Sequence, residues 1–174
     1  MRNRIYQFMK SPVQLLFIVV SLLVFQSAHT QENIKDTHIV TTVFKAFKEQ
    51  NENVLLKSLA TKEEIDYLIP KIKESHPDEN IPEADEIIEV FKTSATKNFK
   101  EIIERGSSFG VAWENIVLEK AEFESNPHAK LGIERGNITL VCASNDKKFL
   151  ITLKKSYKIQ DTWRLMDRMK FTLL

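Results

Sequence analysis

A single cysteine, Cys142, stands among 174 residues, so no disulfide can form within the chain and the hydrophobic core must hold the fold unaided. A surplus of one charge sign is missing too. The 25 Lys and Arg meet 24 Asp and Glu, which argues against bulk attraction to nucleic acid and leaves only a local basic patch open. No apolar run reaches the roughly 20 residues of a membrane-spanning helix. There is no low-complexity tract, and no repeat with a period of about 20 to 50 residues. None of the four histidines, His29, His38, His76 and His128, has a partner two or four residues on. That removes paired metal ligands at helical or strand spacing, so the histidines read as solvated surface residues, and neither a metal nor a cofactor is expected.

What the chain does contain begins with a leader. Arg2, Arg4 and Lys10 precede an apolar run from Val13 to Phe25, and the small residues Ser27 and Ala28 follow. This is the layout of a secretory signal peptide over residues 1–30, followed by one domain over 31–174. The alternative is an uncleaved anchor. No cysteine directly follows the run, so a lipid-modified N-terminus is not expected. Removing residues 1–30 leaves 22 basic against 24 acidic residues, a formal charge of −2. The expected location is secreted or periplasmic. Cys142 falls in an apolar strand and reads as a buried, inert thiol.

Helices come first. Asp36 or Thr37 can cap a helix that places Ile39, Val40, Val43, Phe44 and Phe47 on one stripe and ends near Asn51. Asn53–Leu59 is apolar enough to be helical as well. Thr61 and Glu64 have capping-box spacing, opening a short helix with Ile65, Leu68 and Ile69 inward and a stop between Pro70 and Ile72. After a polar loop, Pro82 suits the first position of a long helix that Gly106 closes. Its stripe is Ile87, Phe91, Ala95, Phe99, Ile102 and Ile103.

Strands follow. Gly110–Phe123 is strand-like with a slipping alternation that predicts a bulge. Ile138–Ala143 turns at Asn145 and Asp146 into the most regular stretch of the chain, Phe149–Phe171. There the odd positions are mostly apolar and the even ones mostly polar or basic, which predicts a β-hairpin. A reversal at Gln160, Asp161 and Thr162 would pair Ile159 with Trp163, Tyr157 with Leu165, and Lys155 with Asp167. Pairing Ser144 with Phe149 would put Ile138, Leu140 and Cys142 on the same face as Ile151 and Leu153.

The fold class is therefore α+β, with three N-terminal helices packed on one face of a curved antiparallel sheet of about four strands. With Trp163, Arg164, Leu165, Met166 and Asp167 closing the last strand, residues 36–172 resemble the nuclear-transport-factor-two-like and cystatin-like superfamily. That resemblance implies a conical pocket between sheet and helices. The superfamily includes isomerases, dehydratases, polyketide cyclases and binding proteins, so it selects no reaction.

Two residue sets are candidates for function. Lys155 and Asp167 would meet on the apolar face, with Asp167 a possible pocket acid or base and Tyr157, Trp163 and Trp113 beside it as a ligand-binding set. The plainer reading is a structural ion pair. Lys154, Lys158, Arg164, Arg168 and Lys170 would form a basic outer face, with Lys158 opposite Arg164 and Lys154 opposite Arg168. That face fits an anionic envelope component or plain solvent. Gly106-Ser107-Ser108-Phe109-Gly110 matches the G-x-S-x-G pattern, but it joins a helix to a strand, the reverse of a hydrolase elbow, and reads as a helix stop. Asn137-Ile138-Thr139 is a glycosylation triplet, relevant only in a source that glycosylates.

The leading expectation is an exported non-enzymatic binding or interaction module that takes a small apolar ligand or an anionic envelope component. The alternatives are a small-molecule isomerase or dehydratase using Asp167, and a structural homodimer through the outer sheet face. The leader generates the first test: N-terminal sequencing of protein from the native envelope should find cleavage close to Ala28 or Thr30. An intact Met1 would overturn the expectation of export.

Overall fold

The structure, a computed structural model, describes residues 34–127 and 131–174; the proposed leader, His29 and His128 lie outside them. Helix α1 spans His38–Glu49 and buries Ile39, Val40, Val43, Ala46 and Phe47. Thr37 occupies its N-cap, although its hydroxyl donates backwards to the Ile34 carbonyl at 2.6 Å. The chain leaves α1 through Gln50 in the left-handed region, and the Asn51 side chain caps a one-turn helix, α2, at Glu52–Leu55. A 3₁₀ turn at Leu56–Ser58 completes the helical segment expected there.

Helix α3, Lys62–Ser75, opens on the expected capping box: Glu64 Oε2 accepts from the Thr61 N–H at 2.8 Å, and Thr61 Oγ1 accepts from the Glu64 N–H at 3.3 Å. It does not stop at Pro70. The ring deprives the Asp66 carbonyl of its helical donor, but Asp66 and Pro70 face solvent, while Ile69 and Ile72 on either side of the proline pack into the core.

Helix α4, Ala84–Ser108, begins two residues after Pro82 and continues past Gly106. Gly106 lies inside the helix because the Trp113 indole rests on it, and an added Cβ would overlap that ring. Trp113 sits in a 3₁₀ turn, Trp113–Asn115, and its Nε1 donates to the Ile103 carbonyl and to Ser107 Oγ, both at 3.1 Å. Ser107 is thereby a structural acceptor, and Ser108 donates to the Arg105 carbonyl at 2.8 Å. The chain turns at Gly110, where φ is +81°.

Five antiparallel strands follow: β1 Val117–Ser125, β2 Arg135–Ser144, β3 Lys147–Ile159, β4 Thr162–Arg164 and β5 Met169–Leu173. Strand β1 starts later than expected, since the 3₁₀ turn takes up part of that stretch, and its bulge lies between Leu118 and Lys120. The sheet runs β1-β2-β3, and the free edge of β3 pairs with β5 along its first half and with β4 along its second.

The β2–β3 turn is shorter than expected, with Ser144 opposite Lys147 and Cys142 opposite Phe149. A slip of two residues keeps every side chain on its face. Ile138, Leu140, Cys142, Phe149, Ile151 and Leu153 are all fully buried.

The β3–β4 turn differs by one residue, and that does change faces. Gln160 and Asp161 form a two-residue reversal with φ of 46° and 65°, so Ile159 pairs with Thr162, Lys158 with Trp163 and Tyr157 with Arg164. The expected pairings of Ile159 with Trp163, Tyr157 with Leu165 and Lys158 with Arg164 are therefore corrected. Farther along, Leu153 meets Met169 and Ile151 meets Phe171, the offset that the expected hairpin has. The single-residue difference is taken up between β4 and β5, which run five steps from Arg164 to Met169 where β3 runs four from Tyr157 to Leu153; β3 has its own irregularity against β2 at Lys155, where φ is +47° and the N–H donates to Asn137 Oδ1 at 3.2 Å.

The parity change splits the interior. Phe149, Ile151 and Leu153 join Phe47, Phe99, Trp113 and Phe171 in the main core. The ring contacts there include Phe47–Trp113 at 5.3 Å and Phe149–Phe171 at 5.4 Å. Beyond Lys155, Ile159 and Tyr157 pack instead with Ile65, Leu68 and Ile87 of α3 and α4.

Arg164 reaches α3 rather than an outer face. Its Nε lies 2.9 Å from Glu64 Oε1, with the two side chains 14% and 8% exposed, and its guanidinium also donates to the Lys57 carbonyl at 3.3 Å. Arg164→Met should cost about 2 to 4 kcal/mol in chemical denaturation, because it strands a buried carboxylate. Glu64→Gln in that background should recover at least about 1 kcal/mol of that loss; additive losses would show that the two side chains are not coupled.

Candidate functional site

Helix α4 carries a second face besides its core stripe. Val90, Ser94, Lys97, Asn98 and Glu101 recur every three or four residues and lie toward a surface cleft of about 390 Å³. Leu59, Phe91, Ala95 and Leu165 supply its apolar floor, and Asp167 and Arg168, from the segment between β4 and β5, form the opposite wall. Asn98 ties the two walls together, since its Oδ1 accepts the Met169 N–H at 2.6 Å.

A second cleft of about 320 Å³ lies between α3 and α4. Ile65, Leu68, Ile69 and Ile72 line it from α3, Ile87, Val90 and Phe91 from α4, and Pro82 and Met166 complete the wall. Glu86 is its one charged lining residue. Val90, Phe91 and Met166 belong to both clefts, so the two adjoin as a trough along α4, apolar toward Pro82 and polar toward Asn98. Val90 is 57% exposed at the junction.

The expected ligand set does not converge. Lys155 and Asp167 do meet, at 3.6 Å, but the side chains are 58% and 30% exposed, so the pair lies at the surface and not on the buried face. The left-handed backbone at Lys155 turns both away from the core. Asp167 Oδ1 also accepts the Arg168 N–H at 2.8 Å. Of the expected set, Asp167 alone lines a cleft described above.

The three aromatic residues lie elsewhere. Trp113 is in the core beneath α4. Trp163 packs on Phe123 with ring centroids 5.0 Å apart. Tyr157 accepts from the Arg135 guanidinium at 3.3 Å, with that cation over its ring. The space between sheet and helices, where the superfamily resemblance implies a conical pocket, is filled by Phe47, Phe99, Trp113, Phe149 and Phe171.

The basic set disperses as well. Arg164 is committed to Glu64, and Lys158 lies 3.8 Å from both Glu134 and Asp161. Lys154, Arg168 and Lys170 remain exposed. The Asn137 side chain serves the sheet, accepting from Lys155 and donating to Glu124 Oε2 at 3.3 Å. His38 Nε2 lies 3.4 Å from Thr42 Oγ1, and His76 Nδ1 lies 2.8 Å from Ser75 Oγ. Among the described residues no group of three or more His, Cys, Asp or Glu is placed to hold a metal, and no helix is long and apolar enough to cross a membrane.

The trough escaped sequence reasoning because the apolar residues of α3 and α4 that line it, Ile65, Leu68, Ile69, Ile87, Phe91 and Ala95, have the periodicity of an ordinary core stripe, and its opposite wall comes from an irregular segment. One signal was present: Val90 is apolar and lies off the core stripe of α4.

These elements define a two-layer α+β domain with a helical trough at its surface. Compared with protein-family models, with curated proteins and with solved structures, the chain matches none.

Cys142 is fully buried, and burial pushes its thiol up from 9.0 to about 12. The folded state therefore holds this proton more tightly than the unfolded chain. Its contribution to stability is complete below about pH 9 and is lost as pH rises toward 12. A thiol-reactive dye at pH 8 should label the native protein at least about 100 times more slowly than the denatured protein. Comparable rates would show that the thiol is accessible.

Proposed function

We propose that this chain is an exported, non-enzymatic binding module that takes a small apolar ligand in the trough between α3 and α4. The observation that carries this reading is the lining of the apolar half, where aliphatic side chains from two helices surround about 320 Å³ with Glu86 as the single charge. A concave, mostly apolar cleft of this size is the usual form of a small-molecule site. Each methylene transferred into it from water contributes about 0.8 kcal/mol. The basic start and short apolar run support export. Helices ahead of an antiparallel sheet, with one long helix among them, support a relationship to the nuclear-transport-factor-two-like and cystatin-like superfamily. Non-enzymatic binding is favoured over acid–base catalysis because Asp167, the candidate acid, is engaged by Lys155 and by the Arg168 N–H.

Native mass spectrometry of protein recovered from its own compartment tests the proposal. The wild-type protein should carry a stoichiometric apolar molecule. Val90→Glu, which places a carboxylate in the trough at a position exposed enough to leave folding intact, should retain at least about tenfold less. Bare protein in both preparations, with no uptake of added hydrocarbon, would overturn the assignment.

A further inference from the structure

We infer that the ligand is a single-chain amphiphile with an anionic head, its chain lying between α3 and α4 and its head against Lys97, Asn98 and Arg168. This rests on the binding reading above and adds the ligand's chemistry. The two clefts share Val90, Phe91 and Met166 and so adjoin along α4, the apolar one leading toward the polar one. From Glu86 to Asn98, α4 rises about 18 Å, the reach of an extended chain of about a dozen carbons. A purely apolar ligand would leave the polar half unused.

The sign of the head follows from the charges at the two ends. At the apolar end the only lining charge among the described residues is Glu86, with Glu83 and Asp85 just before it at the start of α4 and Asp85 paired with Lys62 at 3.7 Å. An anion is repelled there. At the polar end Lys97 and Arg168 line the cleft with Glu101 and Asp167, and Asp167 is paired at 3.6 Å with Lys155, which stands outside the lining. Lys97 makes no ion pair among the described residues. Asn98 is oriented by the Met169 N–H on its Oδ1, and its Nδ2 makes no hydrogen bond among the described residues, so this donor is available to a carboxylate. A cationic head would meet Lys97 and Arg168 as like charges, and Asp167 is already engaged by Lys155 and by the Arg168 N–H.

Titration calorimetry of the full domain with dodecanoate, dodecanol and dodecylammonium, each below its micelle concentration, tests the inference. Dodecanoate should bind about fivefold more tightly than dodecanol, the yield of two exposed charge contacts, and dodecylammonium most weakly. Raising the salt should shrink the difference. Lys97→Ala with Arg168→Ala should remove the preference for dodecanoate and leave dodecanol unchanged, whereas Val90→Glu should weaken all three. Equal binding of acid and alcohol, or a preference for the amine, would overturn the anionic head and leave the apolar site standing. No binding of any of the three to protein whose circular dichroism shows it folded would overturn the site and the head together.

Discussion

Strand β3 has to serve two interiors, and it does so by changing face at Lys155. Its first half lies against the main core, and its second half lies against the cluster formed with α3 and the start of α4. A regular strand presents one parity of side chains to one side throughout, and β3 breaks this with one extra residue, since it takes three steps from Leu153 to Ser156 where β2 takes two from Ile138 to Gly136. Lys155 supplies it by taking φ of +47°, a conformation that costs a residue with a Cβ about 1 kcal/mol or more. The Asn137 side chain, at the irregularity of the facing strand, accepts the N–H that would otherwise be left over.

The far wall of the trough follows from the strand pairing. Because β4 pairs with the second half of β3 and β5 with the first, the intervening residues Leu165–Arg168 cannot continue a ladder. Leu165 turns inward, its N–H donating to the Ser58 carbonyl at 2.9 Å, and Met166 and Asp167 are left facing α4. Two further contacts hold the helices around them. Arg164 and Glu64 join α3 to β4 in a nearly buried pair, while the Trp113 indole on Gly106 fixes the end of α4 against the core. The trough is thus a gap between elements that are each anchored on their other side.

Polar groups in this molecule divide between service to the fold and exposure to the trough. Asn137, Ser107, Glu64 and Arg164 each satisfy a neighbour within the fold. Lys97, Ser94 and Glu101 lie on the outward face of α4, with no such internal role among the described residues. A buried polar group left unpaired is costly, so groups bound within the fold are poor choices for reversible contact with a ligand. The candidates at the polar end are the exposed ones.

The sequence by itself determined the α+β class, the capping box of α3, the core stripes of α1 and α4, and the inward set of β2 and of the first half of β3. These rest on periodicity and on pairs a few residues apart, where the backbone geometry is local and repeats. Only the tertiary structure decided that Pro70 is tolerated, that Gly106 lies beneath Trp113 and not at a helix end, that Arg164 faces Glu64 a hundred residues away, and that the hairpin changes register by one residue between Arg164 and Met169. Each of these depends on a partner distant in sequence. The trough is the extreme case, because its apolar lining on α3 and α4 reads as an ordinary core stripe and its far wall is a segment whose path depends on the strand pairing.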